Sequence, residues 1–190
     1  MKRILALFAL VTAAASLSAE TYTIDPVHSS VNFSLRHLVS KFSSSFTKVT
    51  GTINYDAAKP EASTVEATIA IDSVSTANEK RDAHLKTPDF FDTAKYPTAS
   101  FKSKSWKKTG ENTFDVTGDL TIKDVTKEVV LKTTLVGTGP GQGGATLTGW
   151  EATTTLKRSD FGVGLDKFSA VLGEDVAVTV GIEAGHKPAK

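Results

Sequence analysis

Histidine side chains are the groups in this sequence with the clearest capacity for metal binding or proton transfer. There are four of them, His28, His37, His84 and His186. The first three could form a metal or hydrolytic site with Asp82 if the fold brought them together, although their spacing matches no short metal motif such as His-Glu-x-x-His. Imidazoles are also common structural hydrogen-bonding groups. A histidine-based site therefore stands as an alternative to a structural role.

Nucleophiles and paired carboxylates give weaker signals. The chain has no Cys, which excludes a thiolate nucleophile, a cysteine metal site and disulfides. No Ser lies in a Gly-x-Ser-x-Gly elbow, although a Ser-His-Asp site is assembled in space and not in sequence. Asp89 and Asp92 flank two Phe residues and fit turn positions. We expect a protein that is not an enzyme, with no catalytic residue, no metal and no cofactor.

The Phe residues point to a different chemistry, the binding of an apolar molecule. There are 10 of them, and in a β-barrel that its side chains do not fill they would line an apolar tunnel. A long hydrocarbon gains about 0.8 kcal/mol for each methylene it buries, and a few polar groups at the mouth would fix its head. The expected ligand-binding residues are Phe33, Phe42, Phe90, Phe91, Phe101 and Phe161 in the tunnel, with His28, His37, Arg81 and His84 at its mouth. The alternative is a solidly packed interior, with Arg81 merely paired with Asp82 at a helix end.

The elements that must position these residues are mostly strands. Apolar and polar residues alternate in runs typical of strands with one buried and one exposed face. The runs lie at residues 31–35, 52–55, 65–71, 114–122, 129–135 and 176–182. About eight antiparallel strands without a partner sheet predict an all-β closed barrel, which has no exposed sheet edge. A β-sandwich is the alternative.

Two stretches break the alternation, and two more read as hairpin loops. Residues 74–93 predict a short helical insertion that ends near Leu85, with Thr76 as its N-cap and Glu79 as the capping-box partner. Residues 38–46 form a second irregular piece, for which we expect one helical turn. Residues 107–112 and the Gly-rich residues 137–144 are expected to be hairpin loops. No shift in composition marks a second domain.

The N-terminus has the layout of a secretory signal peptide. Lys2 and Arg3 precede a short apolar run, and small residues follow up to Ala19. A retained membrane anchor is the alternative, but the run is shorter than the roughly 20 residues that span a bilayer. We therefore expect a signal peptide over residues 1–19, one domain over residues 20–190, and a periplasmic protein.

The charge of the chain argues against a nucleic-acid partner. Lys and Arg number 22 against 21 Asp and Glu, a formal net charge of +1. Loss of residues 1–19 leaves 20 basic residues against the same 21 acidic ones. A broad nucleic-acid surface usually carries a basic patch and a high pI, so we expect no nucleic-acid partner.

Several short motifs, taken in order, resemble the YceI-like family of exported lipid-binding proteins. Each motif is weak alone, and their order makes the signal specific. They are residues 22–33 (YTIDPVHSSVNF), 73–76 (SVST), 81–85 (RDAHL), 89–92 (DFFD), 96–103 (YPTASFKS), 118–122 (GDLTI), 124–127 (DVTK) and 158–162 (RSDFG). The resemblance covers residues 22–184, nearly the whole chain after the predicted signal peptide. One departure is the segment 42–46 (FSSSF), where relatives tend to have Gly before the Phe.

The resemblance implies both a fold and a ligand. The expected fold is a lipocalin-like, eight-stranded antiparallel barrel with a short helical insertion. The expected ligand is an isoprenoid lipid, either a polyprenyl chain or a quinone tail, and no catalysis is implied. Transient membrane contact and a homodimer are further expectations. The alternatives are a stress-related envelope interaction protein and the histidine-based site described above.

Overall fold

The structure is a computed structural model that describes residues 19–164 and 166–187. The predicted signal peptide lies outside the described residues, apart from Ala19. Among the helices of the described part, none is long and apolar enough to cross a membrane.

Strands make up most of the described chain, with one short α-helix. In chain order the elements are β1 (Glu20–Ile24), β2 (Ser30–His37), β3 (Ser40–Phe46), β4 (Val49–Tyr55), β5 (Thr64–Ala70), β6 (Val74–Ser75), α1 (Glu79–Leu85), β7 (Thr98–Lys108), β8 (Thr113–Ile122), β9 (Val125–Pro140), β10 (Thr146–Lys157) and β11 (Asp175–His186). Short 3₁₀ turns connect several of them, two of these between β10 and β11. All strand pairings are antiparallel.

The strands close into a barrel because β1 pairs with β4 on one side and with β11 on the other. Three of the eight barrel strands each consist of two segments. The segment pairs are β1 with β2, β4 with β3, and β5 with β6, because β2 pairs with β11 and β3, and β3 pairs with β6. Strands β7 to β11 are the other five strands of the barrel. The predicted eight-stranded antiparallel barrel with a short helical insertion is confirmed.

Two of the local predictions were wrong. Residues 38–46 contain no helical turn, because residues 40–46 form β3 and pair with β2 along their length. Phe42, Ser44 and Phe46 do alternate inward, but Ser is a weak strand former and the three successive serines hide the pattern. The N-cap of α1 is Asn78 and not Thr76, since the Asn78 side chain accepts a hydrogen bond from the Arg81 N–H.

The hairpin loops differ in how closely they match the sequence prediction. The β7–β8 turn lies at residues 109–112, within the predicted loop. Strand β9 continues through Gly137 and Gly139 to Pro140, so the second turn occupies only residues 141–145. Both glycines are extended and pair with residues of β10.

Aromatic side chains fill one end of the barrel. Tyr55, Trp106, Phe114 and Trp150 lie with ring centroids 5.0 to 6.4 Å apart. Phe114 is almost completely buried, and both Trp side chains are buried. Aromatic pairs at these separations add to the free energy of burial. We call these four residues the aromatic plug, and they close the end of the barrel remote from α1.

Candidate functional site

The half of the barrel next to α1 encloses a cavity of about 580 Å³. Its volume falls in the range of about 300–1,000 Å³ usual for small-molecule sites. The wall is built mainly from inward-facing apolar residues of the strands. They include Val31, Phe33, Leu35, Phe42, Phe46, Ile69, Ala99, Phe101, Leu120, Ile122, Val129, Leu131, Leu156, Val176, Val178 and Val180. Several of these side chains are only half-buried although they face inward, because the space in front of them is empty.

Nine of the ten ligand-binding residues predicted from the sequence line this cavity. They are Phe33, Phe42, Phe90, Phe91, Phe101, Phe161, His37, Arg81 and His84. The tenth, His28, does not line it. Other lining residues were not predicted from the sequence, above all the valines of β11 and the apolar residues of the β10–β11 connection. The alternation of residues 176–182 identified a strand, but alternation alone does not tell which inward face meets a cavity and which meets a packed core.

Aromatic rings form the wall beneath the helical insertion. The Phe33 ring lies 6.5 Å from that of Phe42 and 5.3 Å from that of Phe46, and Phe46 meets Phe91 edge to face at 5.4 Å. Phe101 lies on β7, next to Gly118 of β8. A Cβ atom on Gly118 would come within 2.5 Å of the Phe101 ring and of the Lys102 carbonyl oxygen. Gly118 therefore leaves room for this ring in the wall of the cavity.

The connection between β6 and β7 covers one side of the cavity and positions Arg81. The Asn78 side chain caps α1, and the Arg81 guanidinium donates to the Thr76 hydroxyl at 2.9 Å and to the Thr76 carbonyl at 2.8 Å. The guanidinium carbon lies 4.5 Å from the centre of the Phe42 ring. Asp82 accepts hydrogen bonds from the same Thr76. Arg81 is thus held at the rim by a cation–π contact and neutral acceptors, and not by the direct pairing with Asp82 that the sequence left open.

The charged side chains that line the cavity are all basic. Among the described lining residues there are the cationic side chains of Lys41, Arg81, Lys157 and Arg158, and no carboxylate. Arg158 is buried, and its guanidinium donates to backbone carbonyls of the β10–β11 connection, including those of Val163 and Gly164. Its role is therefore structural. The other three cations are exposed and surround the opening of the cavity.

His84 belongs to a small polar cluster at the same opening. Its Nε2 atom lies 3.2 Å from a carboxylate oxygen of Asp89, and its ring packs edge to face on Phe90 at 5.1 Å. Lys167 donates to Asp89 at 2.9 Å. Hydrogen bonds from Lys167 and then from His84 hold the pKa of Asp89 below its usual value. These contacts connect α1 to the β10–β11 connection across the mouth.

His28 lies on the outer surface where β1 gives way to β2. Its Nδ1 atom is 2.8 Å from Asp25 and 3.7 Å from Glu183 of β11. The hydrogen bond from His28 lowers the pKa of Asp25, and Asp25 in turn raises the pKa of His28. In the described part of the chain, the one group of three possible metal ligands is this cluster, without His37 and His84. The three-histidine arrangement considered from the sequence is therefore not formed.

Comparison with known proteins agrees with this geometry. The model of the YceI-like domain matches residues 22–184, from β1 to within β11. The chain belongs to the YceI-like family. A UPF0312 protein of Azotobacter vinelandii is 39% identical over 186 residues, which cover 95% of this chain and 97% of the relative.

Solved structures share the fold of this YceI-like protein. BcnA of Burkholderia cenocepacia has a TM-score of 0.77 at 24% identity, over 84% of this chain and 98% of that one. A domain from Saccharophagus degradans described as polyisoprenoid-binding has a TM-score of 0.66 at 18% identity, over 87% and 98% of the two chains. At these identities the likeness shows the fold. All of the described residues that line the cavity lie within the matched range 22–184.

Proposed function

We propose that this protein binds an isoprenoid lipid, a polyprenyl chain or a quinone tail, inside the barrel, as a carrier in the periplasm. The observation that carries the proposal is the apolar cavity of about 580 Å³ that opens at one end of the barrel and ends within it. The similarity in fold to a domain described as polyisoprenoid-binding supports the same ligand class. The predicted signal peptide supports the location.

The wall of the cavity suits a long, branched hydrocarbon. Aliphatic side chains come from one side, from β8 to β11, and Phe rings from the other. Burial of apolar ligand surface contributes about 0.8 kcal/mol per methylene without any directional contact. The aromatic plug limits how far such a chain extends into the barrel. No reaction step is part of this proposal, which concerns binding alone.

The basic opening suits a polar head group at the end of the lipid tail. Lys41, Arg81 and Lys157 are exposed lining residues, and His37 and His84 line the same cavity. These groups provide hydrogen-bond donors for the carbonyl oxygens of a quinone or for the oxygens of a phosphorylated polyprenol. Because Arg81 is already held by Thr76 and Phe42, it would donate without further ordering.

Filling the cavity tests the proposal. Leu131 points into the cavity, whereas Val130, its neighbour on β9, is 40% exposed on the outer face. Leu131→Trp should greatly reduce the lipid retained by the exported protein, because the larger ring occupies ligand space. Val130→Trp is the matched control and should retain the lipid. Native mass spectrometry with organic extraction measures both.

Two results would count against lipid binding. One is a native protein that leaves the cell empty and remains empty after incubation with quinones and polyprenyl phosphates. The other is equal retention by Leu131→Trp and Val130→Trp, which would place the lipid outside the cavity. A solidly packed interaction protein, the alternative from the sequence, would give the first result.

A further inference from the structure

The tip of the β2–β3 hairpin carries two exposed apolar side chains beside the mouth of the cavity. Val39 is fully exposed, and Leu38 is 50% exposed. His37 and Ser40, which flank them, form the last pair of the hairpin and line the cavity. Single exposed apolar residues are common on protein surfaces. Two in succession at a hairpin tip beside the cavity require a separate explanation.

Turn chemistry does not explain this pair. Two-residue hairpin turns favour Gly, Asn or Asp at the central residues that have positive φ angles. Leu38 has a φ of 50°, which is an uncommon conformation for a bulky side chain. The chain therefore accepts backbone strain and exposed apolar surface at the same site. Such outliers persist where the surrounding structure holds them in place.

The hairpin tip is held rigidly. The Leu38 N–H donates to the Val171 carbonyl at 2.8 Å, and the Arg36 guanidinium donates to the Leu38 carbonyl at 2.7 Å. The Arg36 carbonyl accepts a hydrogen bond from Gly173 at 2.7 Å. The two apolar side chains are thus presented to the outside without further ordering of the backbone.

The charges next to the tip are mainly basic. Arg36 and Lys41 are exposed on the same hairpin, and neither lies within 4.0 Å of a carboxylate in the described part of the chain. Asp175 is the carboxylate among the residues of the shallow groove beside Val39. An apolar point flanked by cations matches an anionic lipid surface, where each Lys or Arg near the headgroups contributes attraction.

We propose that the Leu38–Val39 tip inserts into an anionic lipid bilayer and sets the cavity mouth against the membrane. Two side chains present far less surface than the roughly 1,200 Å² that a stable protein interface buries, so a second copy of the chain fits this tip poorly. Insertion into lipid needs no complementary surface. The inference rests on the proposed function in one respect, since a bilayer is where an isoprenoid ligand resides.

Vesicle binding tests the proposal with a variant designed to fold. Leu38→Gly with Val39→Ser puts Gly at the turn residue that has a positive φ, so the hairpin should form at least as well. Its partition onto vesicles of phosphatidylcholine with phosphatidylglycerol, measured by sedimentation, should fall about tenfold through loss of the apolar side chains. Val27→Ser is the matched control, because Val27 is 81% exposed away from the cavity, and its partition should not change.

A second readout reports insertion directly. The chain has no Cys, so Val39→Cys and Val27→Cys each accept a single polarity-sensitive dye. The dye at position 39 should shift to the blue when vesicles are added, and the dye at position 27 should not. Equal shifts, or unchanged partition of the hairpin variant, would overturn the docking site. Equal binding to vesicles of phosphatidylcholine alone would overturn the anionic specificity.

Different results would contradict membrane docking and lipid binding in the cavity. Lipid retained by the hairpin variant with loss of vesicle binding would support the docking site and leave the cavity intact. Vesicle binding by a native protein that never retains lipid would contradict the proposed function alone. Both assays use the whole purified chain.

Discussion

At the residue scale, the positions of two basic side chains separate ligand contact from structural support. Arg81 and Arg158 both line the cavity. The buried Arg158 guanidinium donates to backbone carbonyls, whereas Arg81 lies exposed at the rim over Phe42. Arg81 lines the cavity, whereas His28, which was predicted beside it at the mouth, does not. Composition gives no direction for a side chain, and the turn at Asp25 directs His28 away from the barrel interior.

The Asp25–His28 pair predicts a pH-dependent contribution to stability. The raised pKa of His28 means that its contribution is full below about pH 6.5 and is lost as the pH rises through the folded-state pKa. The lowered pKa of Asp25 means that its contribution is present above about pH 3.9 and is lost on acidification. The melting temperature of His28→Gln should therefore fall furthest below that of the native protein near pH 5.

The control for this prediction is His28→Gln in a protein that lacks the Asp25 carboxylate. In an Asp25→Asn background, His28→Gln should have a much smaller effect at pH 5, since the charge pair is already absent. A difference in melting temperature that is independent of pH would show that His28 acts by packing alone. Thermal scans of the four proteins across the pH range provide the measurement.

At the scale of elements, the helical insertion is held mainly by local hydrogen bonds. No residue of α1 is buried, so little apolar surface contributes to its stability. The sequence predicted its position because the alternating pattern stops there. It placed the cap at Thr76, which satisfies the capping-box spacing with Glu79, whereas the side chain of Asn78 makes the capping bond. Thr76 instead accepts from Arg81 and binds Asp82, a tertiary use that spacing does not reveal.

Removal of the cap should loosen the insertion without unfolding the barrel. Loss of an N-cap side chain costs about 1 kcal/mol of helix stability. In Asn78→Ala, hydrogen exchange of the amides in residues 79–85 should accelerate about fivefold, and the urea midpoint should hardly change. Lys80→Ala is the control, because Lys80 is exposed on the same helix and should leave exchange unchanged. Unaltered exchange in Asn78→Ala would show that contacts across the mouth hold the helix.

At the scale of the whole molecule, the barrel is divided into a packed half and a half that contains a cavity. Closure could be predicted from the sequence, because the alternating runs leave no partner sheet. The division could not, since Phe114 and Leu131 both lie on inward faces of adjacent strands and have the same pattern. Phe114 meets the Trp side chains of the plug, and Leu131 meets the cavity. Only the relative stagger of eight strands decides which side chains share a layer.

This division predicts that truncation costs more stability in the packed half than in the half with the cavity. Phe114 is almost fully buried, so Phe114→Ala should lower the free energy of unfolding by about 3–5 kcal/mol. Leu131 already faces empty space, and Leu131→Ala should cost less than about 2 kcal/mol in the lipid-free protein, below the usual range for buried Leu. Urea unfolding at fixed temperature gives both values.

Added lipid should raise the urea midpoint of Phe114→Ala more than that of Leu131→Ala. The proposed ligand stabilises the folded protein in proportion to its affinity, so added lipid should raise the urea midpoint of Phe114→Ala as much as that of the native protein. Leu131→Ala should gain less from the lipid, because it has lost apolar wall that the tail contacts. Equal gains by all three proteins would mean that the tail does not reach β9. A loss confined to Phe114→Ala would place the ligand in the half that the aromatic plug occupies, contrary to the proposed site.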